Sequence, residues 1–292
     1  MKKLLNIVIA CLVVAGCTKE APQPTLPELG IVWAPDATAA QRESIRKMAE
    51  DLVAVEGGTY YMGVQFTFPS MPGFDSTTWT EQTPVHSVTL SSFMLGRYEV
   101  SRKQWYDIMG DGTGMDSHYT IENASLPMEG MRRDEVDTFL ARIEHLSRLR
   151  LRLPTESEWE YAARGGRNGS TSDRFSGAYY SNEVAWNYYN SGRHLHPVGQ
   201  LKANRLGLYD MSGNVAELCS DIYAPYPAEA QTDPQGPSHW ENDLMVVRGG
   251  HYESSDQTCR VYYRSYASAD YPMTYVGLRL AYVPASKYIT TR

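Results

Sequence analysis

The feature that most constrains the fold is a change of texture at Gly166. Before it, apolar residues recur at helical spacing. After it, regular periodicity mostly disappears, and Gly, Asn, Ser, Tyr and Trp dominate to the C-terminus. That texture argues for loops and short strands held by aromatic packing and local hydrogen bonds. No internal repeat is present.

The periodic half divides into short elements. Residues 36–52 form a helical pattern, with Ile45, Met48 and Leu52 on one face and charges elsewhere. Residues 54–65 read as a turn flanked by short strands, and residues 86–101 as a strand pair around a polar break. Ser101 and Gln104 make a capping box for a helix that stops at Gly110. A further helix over 133–149 buries a stripe of Val136, Phe139, Leu140, Ile143 and Leu146. Thr155 and Glu158 cap another helix, which ends at the Gly165-Gly166 pair.

The first residues have a different purpose. Lys2 and Lys3 precede an apolar run from Leu4 to Val14, which closes on Ala15-Gly16-Cys17. A basic start, a short apolar stretch and small residues before a break describe an export signal. The run is too short to span a bilayer comfortably as a helix. The small-small-Cys ending resembles the bacterial lipobox, so Cys17 is the expected lipidation site; a plain secreted protein is the other reading. Residues 1–16 are then the signal, 17–35 a lipidated, Pro-rich tether, 36–52 a lead-in helix, 53–284 the domain and 285–292 a tail. The expected setting is a bacterial cell envelope, on the outer membrane, with the membrane a partner through the lipid anchor. The formal net charge is −7 with no basic stripe, which argues against a nucleic-acid partner. Only Cys219 and Cys259 remain beyond Cys17, so this is not a disulfide scaffold.

The order of motifs is more specific than any one of them. VEGGTYYMG, VHSVTLSSFMLGRYEVSRKQW, LRLPTESEWEYAARGG, HPVGQLKANRLGLYDMSGNVAEL, VVRGGHY and VGLRLAY follow one another between Val53 and Tyr282. Together they resemble the formylglycine-generating enzyme, or sulfatase-modifying factor, family. The resemblance implies an α+β domain with little regular secondary structure, related to C-type lectins. It also implies a mixed range of functions. Founding enzymes oxidise a cysteine in a sulfatase peptide with copper and oxygen; some relatives are iron-dependent sulfoxide synthases, and others are envelope lipoproteins. The seven histidines are scattered and form no cluster of the iron type.

In the copper enzymes, two cysteines follow the double glycine. Here Cys259 falls on the second, Ser254 on the first, and His251 replaces a serine. A neutral hydroxyl is a poor Cu(I) ligand, which argues against copper. Cys259 is then a small semi-buried residue in a site that no longer works, part of a rebuilt site with His251 or Cys219, or half of a Cys219–Cys259 disulfide. The segment Asp210 to Glu217 resembles the family's calcium loop. Asp210 and Glu217 would give carboxylate oxygens, and Gly213 and Val215 backbone carbonyls, as Ca²⁺ requires. A metal-free structural turn is the other reading. The expected function is a non-catalytic binding or assembly component whose partner is an envelope protein or exported peptide. An active copper oxidase of exported sulfatases and a lectin-like glycan or peptide binder are the alternatives.

Overall fold

The computed structural model describes residues 29–64, 81–110, 120–170, 172–240 and 244–283. The export signal, Cys17, the first part of the tether and the tail lie outside the described residues.

Local chemistry sets the helices. They are α1 (Ala39–Glu50), α2 (Arg102–Met109), α3 (Arg133–Ser147) and α4 (Glu156–Ala163). Thr38/Gln41, Ser101/Gln104 and Thr155/Glu158 form capping boxes that satisfy otherwise orphaned N–H groups at α1, α2 and α4. Helix α1 falls within the expected lead-in segment. It packs on α2 and α3 and buries Ile45 and Met48. The last tether residues also dock: Val32 N–H donates to Ser147 O at 2.9 Å and Ala34 N–H to Leu146 O at 2.9 Å. These bonds tie the end of the expected tether to α3.

The strands expected over 86–101 form, but not as partners of each other. Strands β1 (Leu52–Val55) and β2 (Gly58–Met62) make one bent ribbon with β4 (Phe93–Gly96) and β3 (His86–Leu90). The register runs from Leu52↔Gly96 to Val55↔Phe93 and, past the bend, from Gly58↔Leu90 to Met62↔His86. Gly57 sits at the bend, where a Cβ would stand 2.3 Å from Leu90 O. Alternation along a strand sets which face is buried but does not name the partner.

The non-periodic half supplies β5 (Ala185–Trp186), β6 (Ser212–Gly213), β7 (Ala216–Ile222), β8 (Gln231–Thr232), β9 (Met245–Arg248), β10 (Arg264–Ala267), β11 (Val276–Gly277) and β12 (Ala281–Tyr282). Its main sheet has the order β10-β9-β7-β11. One apolar core joins α1, α2 and α3 around Trp105 and Phe139, whose stacked rings lie 4.8 Å apart. A second joins α4 and the ribbon around Trp159 and Tyr161. A small third one, of Phe175, Ala178, Val184 and Ala185, encloses Cys259.

Buried charges tie α4 to the main sheet. Arg264 Nε donates to Glu156 Oε1 at 2.6 Å and its NH2 nitrogen to Oε2 at 2.8 Å. Arg248 donates to Glu160 and to Glu156. A bidentate guanidinium–carboxylate fork is the geometry that best offsets the desolvation of both charges. The arginines thus brace the loops, and Glu158 and Glu160 serve as cap and core.

Candidate functional site

The connection between β9 and β10 builds the site. These strands pair antiparallel, with Arg248 opposite Arg264, so residues 249–263 form a long excursion from one sheet edge. It begins with Gly249 and Gly250, both at positive φ (93° and 69°), which glycine adopts without steric cost. At Gly250 a Cβ would lie 2.8 Å from Cys259 Sγ and 2.8 Å from Thr258 O. The glycine lets the thiol pack directly against the backbone. Three contacts then pin the loop: Tyr252 N–H donates to Asn214 O, Ser191 Oγ to Tyr252 O, and Tyr188 N–H to Ser254 O.

The two positions of the expected cysteine pair are adjacent. Ser254 Oγ stands 3.6 Å from Cys259 Sγ. The serine hydroxyl is already committed, accepting from His251 N–H at 2.8 Å and donating to His251 O at 2.8 Å. Cys259 is fully buried, with its Sγ 3.6 Å from Ser255 O. Burial pushes its thiol up to about 12, so at neutral pH it is protonated. A protonated thiol is a weak nucleophile.

Cys219 and His251 are the other residues expected beside Cys259. Cys219 and Cys259 are both unbridged, and they pack in different clusters. The disulfide alternative is not realised. The His251 ring stacks on Tyr275, with centroids 4.4 Å apart and planes 4° from parallel, and its Nδ1 accepts from Glu253 N–H at 3.3 Å. Burial lowers the His251 pKa, which favours the neutral imidazole. Among the described residues, no group of three or more His, Cys, Asp or Glu side chains is placed to hold a metal ion.

A cleft of 460 Å³ opens beside this loop. His251, Ser254, Thr258, Tyr266, Tyr271 and Tyr275 are among the residues that line it. Tyr275 Oη donates to Glu253 Oε2 at 3.0 Å. Tyr266 and Tyr271 are exposed, so their rings are available to a ligand. Tyrosines of this kind offer large contact area at low entropic cost.

The expected calcium residues lie nearby, and the carboxylates of Asp210 and Glu217 already accept protein hydrogen bonds. Glu217 accepts from Trp159 Nε1 at 2.7 Å and from Arg279 Nε at 2.9 Å on one oxygen, and from the Arg279 NH2 nitrogen at 2.6 Å on the other. Asp210 Oδ2 accepts from Gly199 N–H at 2.6 Å, and burial pushes its carboxyl up to about 6. Gly213 is required by packing, because a Cβ would stand 2.2 Å from Trp186 O. Val215 N–H donates to Glu99 Oε1 at 3.1 Å. The loop's shape is therefore accounted for by protein partners, and an ion at Glu217 would have to compete with a guanidinium. Two residues that complete the cluster, Glu99 and Arg279, were not read from sequence as site residues. Glu99 lies just past β4 within the VHSVTLSSFMLGRYEVSRKQW stretch, which does not show what it faces, and its pKa is raised well above the ordinary value by burial and by Asp210 and Glu217.

Comparison with known proteins places this geometry in context. A chaperone protein, LppX, from Paenibacillus barcinonensis is 29% identical over 262 residues, covering 74% of this chain and 83% of that protein. The formylglycine-generating enzyme of Streptomyces coelicolor is 38% identical over 146 residues, covering 44% of this chain and 46% of that enzyme. Among solved structures, Treponema denticola variable protein 1 superposes with a TM-score of 0.67 at 24% identity, covering 80% of this chain and 95% of that chain. The likeness at that identity is one of fold. Residues 37–283, which include α1 and run through β12, match the sulfatase-modifying factor enzyme 1-like domain along their whole length, and the chain belongs to that family.

Proposed function

We propose that this chain is an envelope lipoprotein whose domain binds or helps assemble an exported polypeptide and does not oxidise it. The observation that carries the reading is Ser254. Its hydroxyl stands 3.6 Å from Cys259 Sγ, where a second thiolate would be needed, and is locked to the His251 backbone. One thiol and one neutral hydroxyl, in place of two thiolates, make a poor Cu(I) site. The cleft itself persists, with tyrosines on its walls. The resemblance to a protein named as a chaperone, over most of that protein's length, supports a binding role. The Cys17 anchor places the domain at the membrane surface in this reading.

Competition between the purified chain and a Cu(I) chelator tests it. The expected result is no tight one-to-one complex, and a gain in affinity on Ser254→Cys. Tight binding by the unmodified chain would favour the copper-dependent oxidase. A glycan, which the lectin kinship implied by the family would allow, is the alternative occupant of the same cleft.

A further inference from the structure

A second cavity, of 400 Å³, shares no lining residue with the cleft beside Ser254. Asp221, at the end of β7, and Glu156, at the start of α4, lie in its wall. Ile222, Pro234, Pro237 and Trp240 give its lining an apolar stretch, beside the polar Gln231 and Gln235. Trp240 is 41% exposed, while Asp221 is only 5% exposed.

Asp221 is a buried carboxylate used on one side. Its Oδ2 accepts from Glu156 N–H at 2.9 Å and from Ser220 Oγ at 3.1 Å. Its Oδ1 takes no hydrogen bond from the described residues, and no described cation pairs with it. The space beside Oδ1 is kept open by Gly236. That residue has a φ of 69°, and a Cβ there would stand 2.9 Å from Asp221 Cβ and 3.1 Å from Oδ1. Arg264 also lines the cavity, but its fork is spent on Glu156 and on the carbonyls of Glu81 and Ala224.

A buried carboxylate without a cation costs several kcal/mol, which a cation from outside would offset. The kind of cation follows from the acceptors. One open oxygen suits an ammonium, which is a point charge. A guanidinium fork would seek two coplanar oxygens, and Oδ2 is already taken. A divalent ion needs a larger oxygen shell than this wall provides. The apolar stretch matches a methylene stem, as lysine presents when its charged end is held in a polar place. The net charge of −7 favours a cationic partner.

We propose that this cavity receives a primary ammonium on an alkyl stem, the end of a lysine side chain of a partner polypeptide, with Asp221 Oδ1 as its counter-ion. The site stands apart from the Ser254 cleft and does not depend on whether that cleft binds copper. Calorimetric titration of the full chain tests it, at about pH 8, above the value of about 7 to which burial raises Asp221. The probe is the blocked tripeptide acetyl-Gly-Lys-Gly-amide, compared with its norleucine counterpart, which keeps the stem and lacks the charge. The lysine peptide is expected to bind saturably at one site, and the norleucine peptide at least about tenfold more weakly, the scale of one charge-assisted hydrogen bond. Asp221→Asn, which keeps the side-chain shape, is expected to weaken the lysine peptide by a similar factor. In case that variant does not fold, competition on the unmodified chain separates charge from stem: butylammonium is expected to displace the lysine peptide, and butanol is not. Equal binding of the lysine and norleucine peptides, undiminished binding by a folded Asp221→Asn variant, or no saturable binding of the lysine peptide would overturn the proposal.

Discussion

Arg279→Met is the sharpest test of what holds the Ser254 region in place. Arg279 and Glu217 are both buried, and their fork joins β7 to the segment between β11 and β12. The same guanidinium donates to Gly96 O and Tyr209 O, each at 2.7 Å. Methionine fills much of the volume but supplies no donor. Glu217 would keep only Trp159 Nε1. Breaking a buried pair from one side costs about 3–5 kcal/mol, and the two stranded carbonyls add about 1–3 kcal/mol each at most. For a domain of this size, each kcal/mol lowers the melting temperature by roughly 2–4 °C, so a fall of at least about 6 °C is expected. Adding Glu217→Gln to the Met variant removes the stranded charge and is expected to recover part of the loss. Thermal melts of wild type, both single variants and the double variant give the coupling energy directly. A fall of under about 2 °C for Arg279→Met, or additive losses in the double variant, would refute the view that this pair is a structural clamp.

Three further outcomes are expected. Asp221 titrates near 7 in the folded state, above its unfolded value of about 3.9, so the folded chain binds the extra proton between these values and stability falls as pH rises through that window; Asp221→Asn is expected to flatten the dependence in melts from about pH 4 to 8, and an unchanged slope would count against the buried titration. Because Arg279 already covers Glu217, Ca²⁺ is expected to leave the melting temperature unchanged, and an increase that Asp210→Ala abolishes would restore the calcium reading. Cys17 is expected to take up an alkyne fatty acid in cells and Cys17→Ser to lose it; equal labelling of both chains, or of neither, would remove the lipoprotein assignment.

Local chemistry was legible in the sequence. The Ser101/Gln104 and Thr155/Glu158 boxes are complete within three residues, so sequence spacing alone determines which groups meet. The Gly249-Gly250 turn and the ordered motifs pointed to the α+β family fold for the same reason. Partners distant in sequence were not legible. The sequence indicated short strands within 54–65 and a strand pair within 86–101, but the register that pairs β1 with β4 and β2 with β3 depends on a bend at Gly57. Glu217 was read as an ion ligand because its position matches a motif. Its actual partners, Trp159 and Arg279, lie 58 and 62 residues away and reach it only when α4 and the main sheet close on one core. Asp221 carried no motif at all. Its burial, its unused oxygen and the cavity before it are created by Gly236 and the apolar stretch, which the chain brings to one place only on folding.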